Sequence, residues 1–173
     1  MIVQFCGMSG AGKTTLAEHT KNNLTLLGVP VEIIDADEYR KFIIKDLGFS
    51  KNDRCENIRR LAFIANKFSK HNITTIICAI NPYEEIRQEI KKKYDNVKTV
   101  FINCEINELI KRDTKGLYKK ALLPETHTDK IHNLTGINDP FEIPEKPDLI
   151  IDTSKDDVIK STESLVQFIQ ANR

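Results

Sequence analysis

The stretch GMSGAGKTT, residues 7–15, stands directly behind the apolar run IVQFC. Seven of its nine residues are Gly, Ser, Thr or Ala, and its only charge is Lys13. It fits G-x-x-x-x-G-K-[ST] from Gly7 to Thr14, with a strand-like run before it and a helical pattern, TTLAEHTKNNLTLLG, after it. Small residues let successive backbone N–H groups turn inward and surround a polyphosphate, and the following helix adds its positive end. Gly7, Ser9, Gly10, Ala11, Gly12, Lys13, Thr14 and Thr15 are therefore expected to cradle ATP. Lys13 would reach the β- and γ-phosphates. The Thr14 hydroxyl would hold Mg²⁺. The competing reading is a plain Gly-rich turn.

The 173 residues suit one domain, 1–173, large enough to bury a core. Net charge is +1, which gives no global case for nucleic acid or a membrane. The KKK run at 91–93 reads as a solvated helix face. No apolar run approaches the ~20 residues of a bilayer span. The N-terminus enters a strand with no leader pattern, so a cytoplasmic protein is expected. Cys6, Cys55, Cys78 and Cys104 form no C-x-x-C pair and are expected to be reduced and mostly buried. His19, His71, His127 and His132 show no metal-ligand spacing.

Short Ile- and Val-rich runs at 2–6, 31–35, 74–80, 99–104 and 148–152 read as strands buried on both faces. Amphipathic stretches at 14–27, 54–70, 83–93, 105–112 and about 155–170 lie between and after them. The alternation predicts an α/β fold: a doubly wound, parallel, five-stranded sheet with helices on both faces. Ligands in such sheets sit outside the carboxyl ends of the strands. From 114 to 147 the chain is polar and poorly periodic, and it reads as a mobile active-site lid, with a plain surface loop as the alternative.

The second strand ends in DADEYR. Asp37 is a candidate base for the nucleophile's proton, and Asp35 a candidate magnesium partner through water. A helix cap with a first-turn acid, Asp37 and Glu38, is the structural alternative. In LGFSKNDRCENIRR, residues 47–60, Arg54 and Asn57 lie three apart on one helix face, a grip suited to an anionic ester. Phe49, just before, is placed to stack on a base. An ordinary charged surface helix with Phe49 in the core explains the same composition.

Taken together, DADEYR, LGFSKNDRCENIRR, INPY, CEINELIKRDTKGLYKKA, TGINDPFE and PDLIIDT, with the glycine-rich loop, resemble the adenylylsulfate kinase family over nearly the whole chain. The resemblance implies a P-loop kinase fold and transfer of the ATP γ-phosphate to the ribose 3′-hydroxyl of a nucleoside 5′-anhydride. It implies that Arg40, Arg54 and Asn57 grip the acceptor's anhydride end and that Phe49 stacks on its base. Asp35, Ile80, Asn81 and Leu134 join the acceptor pocket, while Arg112, Asp113 and Lys115 belong to the lid and ATP side. Family members are often dimers, so a homodimer is an expected partner state alongside nucleotide substrates.

The chain departs from the family pattern on the acceptor side. Asn81 replaces a usual Ser, Glu84 an Arg, Ala36 a Gly, and Leu134 the Phe before TGI. Thirteen residues, 122–134, separate KKA from TGI, more than the pattern has. Losing one ring of a base sandwich removes roughly 1–3 kcal/mol of stacking and penalises a purine most. The favoured expectation is therefore the cytidine diphosphoramidate kinase branch, acting on CDP-phosphoramidate for capsular phosphoramidate. An ordinary adenylylsulfate kinase is the alternative, and a non-catalytic ATP switch a remote one.

Overall fold

The computed structural model describes all residues, 1–173. Five strands, β1 (Ile2–Cys6), β2 (Val31–Asp35), β3 (Thr74–Cys78), β4 (Val97–Asn103) and β5 (Leu149–Asp152), form one parallel sheet in the order β2-β3-β1-β4-β5. β1 and β3 are buried along their whole length, the polar Gln4, Thr74 and Thr75 included, as suits central parallel strands. The helices are α1 (Lys13–Leu26), α2 (Ala36–Phe42), α3 (Lys51–Ser69), α4 (Glu84–Lys93), α5 (Ile106–Arg112), α6 (Leu117–Ala121) and α7 (Val158–Asn172). One core joins Val3, Phe5, Leu16, Leu24 and Val100 to Leu165 of α7. The other joins Ile2, Ile34 and Ile77 to Ile58 and Leu61 of α3 and Ile86 of α4. The expected doubly wound α/β sheet is present, with helices on both faces.

Register aligns the functional ends. Asp35 pairs opposite Cys78, and Cys6 opposite Phe101, so the loops leaving β1, β2 and β3 emerge side by side.

Three elements differ from the sequence expectation. α2 has only seven residues and no apolar stripe; it starts because the Asp35 carboxylate accepts from the Asp37 N–H. The cap is thus Asp35, not Asp37. α3 begins at Lys51 because the Ser50 hydroxyl accepts from the Asp53 N–H at 3.2 Å. The 114–147 segment is not structureless. It contains α6, whose buried Tyr118 donates its hydroxyl to the Ser9 carbonyl at 2.7 Å, and it returns to the body where the Glu142 N–H reaches the Pro82 carbonyl at 2.8 Å. All four cysteines are buried and unpaired, and no helix is long and apolar enough to cross a membrane.

Candidate active site

A cleft of about 630 Å³ opens at the carboxyl ends of β1, β2 and β3. The glycine-rich loop forms its floor. Gly10 and Gly12 hold φ of 76° and 92°, a left-handed backbone that favours glycine, and this turns the loop into the start of α1. Gly7 anchors the loop from behind: its N–H donates to the Ile80 carbonyl at 3.1 Å, and a Cβ there would fall 2.4 Å from the Ile102 carbonyl oxygen. The Lys13 ammonium folds back onto its own loop and donates to the carbonyls of Gly7 at 2.8 Å and Met8 at 2.7 Å. Its stem keeps some exposure, yet the ammonium is withdrawn from water, and this desolvation brings its pKa down to about 8.

Beside the loop, the Thr14 hydroxyl donates to Asp35 Oδ2 at 2.8 Å, while Asp35 Oδ1 accepts from the Asp37 N–H at 2.8 Å. Two hard oxygen donors, Thr14 Oγ1 and the Asp35 carboxylate, thus face the cleft together, a set that suits Mg²⁺ with its remaining sites on water and phosphate. Asp37, in the first turn of α2, is exposed. It forms an ion pair with Lys115, which reaches it from the loop between α5 and α6. Base candidate and lid cation therefore meet across the cleft.

The wall on which the acceptor is expected is built around Phe49. Arg40 lies 4.8 Å and Arg54 5.5 Å from the ring centroid. Arg40 Nη1 donates to the carbonyls of Leu47 and Gly48, both at 3.0 Å, and Arg54 Nε to that of Phe49 at 2.9 Å. Two guanidiniums thus hold three successive carbonyls and fix the loop that presents the ring. Burial, then the like charge of Arg54, lowers the Arg40 pKa from its ordinary value.

Of the expected site residues, Ser9, Gly10, Gly12, Lys13, Thr14, Thr15, Asp35, Asp37, Phe49, Arg54, Ile80, Lys115 and Leu134 line this one cleft. Gly7, Ala11, Arg40, Asn57, Asn81 and Arg112 do not. Gly7 and Ala11 support the loop from its buried side. Arg40 is engaged with the Phe49 loop. Asn57 is buried on α3. Asn81 turns inward: its Nδ2 donates to Gln4 Oε1 at 3.3 Å and its carbonyl accepts from Arg87 Nη1 at 2.7 Å. Arg112 flanks the loop from outside through Thr153, whose carbonyl accepts from Arg112 Nη2 at 2.7 Å and whose hydroxyl donates to the Ala11 carbonyl at 3.1 Å.

A glycine-rich floor, a carboxylate above it and an aromatic acceptor wall in one cleft are the layout of a small-molecule kinase. The family model for adenylylsulphate kinase matches residues 1–152. The chain belongs to the adenylylsulfate kinase family. It is 38% identical over 170 residues to an adenylyl-sulfate kinase of Synechococcus sp. (strain JA-3-3Ab), covering 98% of this chain and 94% of that one. It is 44% identical over 153 residues to the Chloroflexus aurantiacus (strain ATCC 29364 / DSM 637 / Y-400-fl) adenylyl-sulfate kinase, covering 88% and 80%. Among solved structures, it superposes on the Mycobacterium tuberculosis APS kinase in complex with AMPPNP and APS with a TM-score of 0.89, at 29% identity, covering 98% and 96%. The chain is an ATP-dependent phosphotransferase of this family, acting on a hydroxyl group. No relative named here points to a cytidine acceptor or to capsule phosphoramidate.

Within the family frame, sequence reading missed the residues that hold the site together. Thr135 and Asn133 line the cleft, and Arg54 is tied to the lid through Asn133 and Asp139. The TGINDPFE motif was the available signal for this lid contact. Arg87 gave none: it is fully buried, with Glu84, Asn81 and Glu142 around its guanidinium. Glu84, which replaces the family's usual Arg, is the carboxylate of that network.

Proposed function

We propose that this enzyme transfers the γ-phosphate of ATP to the ribose 3′-hydroxyl of adenylylsulfate. One observation carries the reading: the phosphate loop, Asp37 and the Phe49–Arg54 wall line a single cleft, so donor and acceptor meet at the carboxylate. The names of the relatives support adenylylsulfate over a cytidine nucleotide. Lys13 leaves the carbonyls of Gly7 and Met8 and contacts the β- and γ-phosphates, and Lys115 leaves Asp37 for the phosphate side. Asp37 then accepts the 3′-hydroxyl proton as O3′ bonds to the γ-phosphorus and the bond to the bridging oxygen breaks, releasing ADP. Thr14, with Asp35 through water, would hold Mg²⁺, which supplies charge compensation to the phosphates. Phe49 stacks on the base, and Arg54 meets the anhydride. The lid of residues 114–147 belongs to this single domain and opens for exchange of substrates. A cytoplasmic location and a homodimer complete the reading.

A second reading, the CDP-phosphoramidate acceptor, keeps one observation in its favour. Phe49 is the only aromatic ring on the cleft wall, and the buried Leu134 stands where the family pattern has a second ring. Coupled ADP release with ATP and magnesium, against adenylylsulfate and a panel of CDP anhydrides, decides between them. We expect kcat/KM to favour adenylylsulfate by at least about tenfold, or about 1.4 kcal/mol in the transition state. A preference of that size for a cytidine anhydride establishes the second reading. ATP turnover indifferent to any acceptor would refute both and leave an ATP switch.

A further inference from the structure

Arg54 is a charged side chain held at 9% exposure, and its surroundings divide its guanidinium in two. Nε donates to the Phe49 carbonyl at 2.9 Å. Nη2 donates to the Asn133 carbonyl at 2.7 Å and lies 3.0 Å from Asp139 Oδ2, an ion pair outside hydrogen-bond geometry that leaves this buried oxygen without a donor. Nη1 makes no hydrogen bond within the chain, and Arg54 is among the residues that line the cleft. Asp139 is the only carboxylate paired with this cation. It lines a different groove, with Met8, Phe101 and Phe141, and so stands behind the guanidinium as seen from the cleft.

The lid turn does not need the Asp139 side chain. The Leu134 N–H donates to Asn138 Oδ1 at 2.7 Å, and Asn138 Nδ2 donates to the Ile131 carbonyl at 2.6 Å. The Gly136 N–H meets the Asp139 carbonyl and the Asp139 N–H the Leu134 carbonyl, bonds that any residue at 139 can make. Asn138 shapes the turn, and the neighbouring carboxylate is left for Arg54.

We propose that Asp139 is a positioning residue for the acceptor: it holds Arg54 so that the Nη1 edge is presented to the acceptor's anionic anhydride. A buried guanidinium with one charged partner keeps a fixed orientation, and donation of its remaining Nη1 hydrogens to an oxyanion depends on that orientation. The inference rests on the assignment of Arg54 to the acceptor. Arg54 stands on the Phe49 wall and not on the phosphate loop, so Asp139 is expected to act on acceptor binding and not on ATP binding.

The test is steady-state kinetics of D139A, D139N, R54K and the double variant R54K/D139A, each checked for cooperative thermal unfolding. D139A should raise the acceptor KM about tenfold and leave the ATP KM within twofold. D139N keeps an oxygen for Nη2 and should fall between D139A and the parent. The double variant should be no worse for the acceptor than R54K alone, because Asp139 acts through Arg54. An acceptor KM within twofold of the parent in folded D139A overturns the proposal, as does an equal rise in the ATP KM. If R54K itself leaves the acceptor KM unchanged, the assignment of Arg54 to the acceptor fails instead.

Discussion

Gly136 touches the phosphate loop more closely than any side chain would allow. A Cβ on it would lie 2.3 Å from Met8 Sδ and 3.2 Å from Met8 Cγ, and its φ is +88°. The left-handed backbone costs an L-residue roughly 1–2 kcal/mol. Forcing the thioether aside adds about 1–3 kcal/mol of overpacking, toward the low end because Met is flexible. Gly136→Ala should therefore destabilise by about 3 kcal/mol. Gly28 is an internal control: its φ is +74° with no atom within 4 Å of a Cβ, so Gly28→Ala should show the backbone cost alone. Urea unfolding of both variants, with Met8→Ala and the double variant Met8→Ala/Gly136→Ala, separates the two parts. Removing the Met8 side chain should recover about 1–2 kcal/mol of the Gly136→Ala loss. The ATP KM should rise in Gly136→Ala, because the Met8 carbonyl is one of the two that hold Lys13. Equal losses at Gly28 and Gly136, or strict additivity of the Met8 and Gly136 changes, would refute the close approach.

Asp37→Asn should cut kcat by at least about 10²-fold while the ATP dissociation constant stays within a few-fold, since a base acts in the chemical step; equilibrium ATP binding beside single-turnover kinetics checks this. Lys13 is neutral in the ligand-free protein above about pH 8 and charged in the unfolded chain up to its ordinary 10.5. Its lowered folded pKa means that the cost of burying the charge is full below pH 8 and is relieved as pH rises from 8 to 10.5. Calorimetry of ATP binding near pH 8.5 in buffers of different ionisation enthalpy should accordingly show proton uptake, absent in Lys13→Met. Arg87→Met should destabilise by about 3–5 kcal/mol, because it leaves Glu84 and the carbonyls of Asn81 and Glu142 without their donor. Chemical denaturation measures it, and a loss under 1 kcal/mol would show that the network is replaceable.

The strands and the phosphate loop were legible because each is local: an apolar run of five residues, or glycines at fixed spacing. α2 and α6 were not, since neither ADEYRKF nor LYKKA carries a periodic apolar stripe and each depends on a cap or on burial of one tyrosine. The site was legible where family motifs coincide with the cleft, as at Lys13, Asp37, Phe49 and Arg54. It was less so at Arg40, which is tied to the Phe49 loop, and at Asn57 and Asn81, which are buried, Asn57 with its Oδ1 unpartnered. Their partners, Leu47, Gly48 and Gln4, are set by the fold, and no spacing within a motif announces them. Arg87 is the clearest case: its helix, EEIRQEIKKK, suggests a solvated face, and only convergence of the loop at 81 and the lid at 142 buries it.

The strand order has a bearing on how such enzymes diversify. With β1 in the middle, the phosphate loop leaves from the central strand. The wall around Phe49 comes from one flank, β2, β3, α2 and α3, with the lid residues Asn133 and Leu134 beside it. Most residues of that flank lie outside the phosphate loop, which they meet at the Gly7–Ile80 hydrogen bond. Ala36, Asn81, Glu84 and Leu134 all lie on that flank or on the lid facing it, while the phosphate loop keeps every position of its motif. The architecture would let that flank vary while the phosphate loop stays constant.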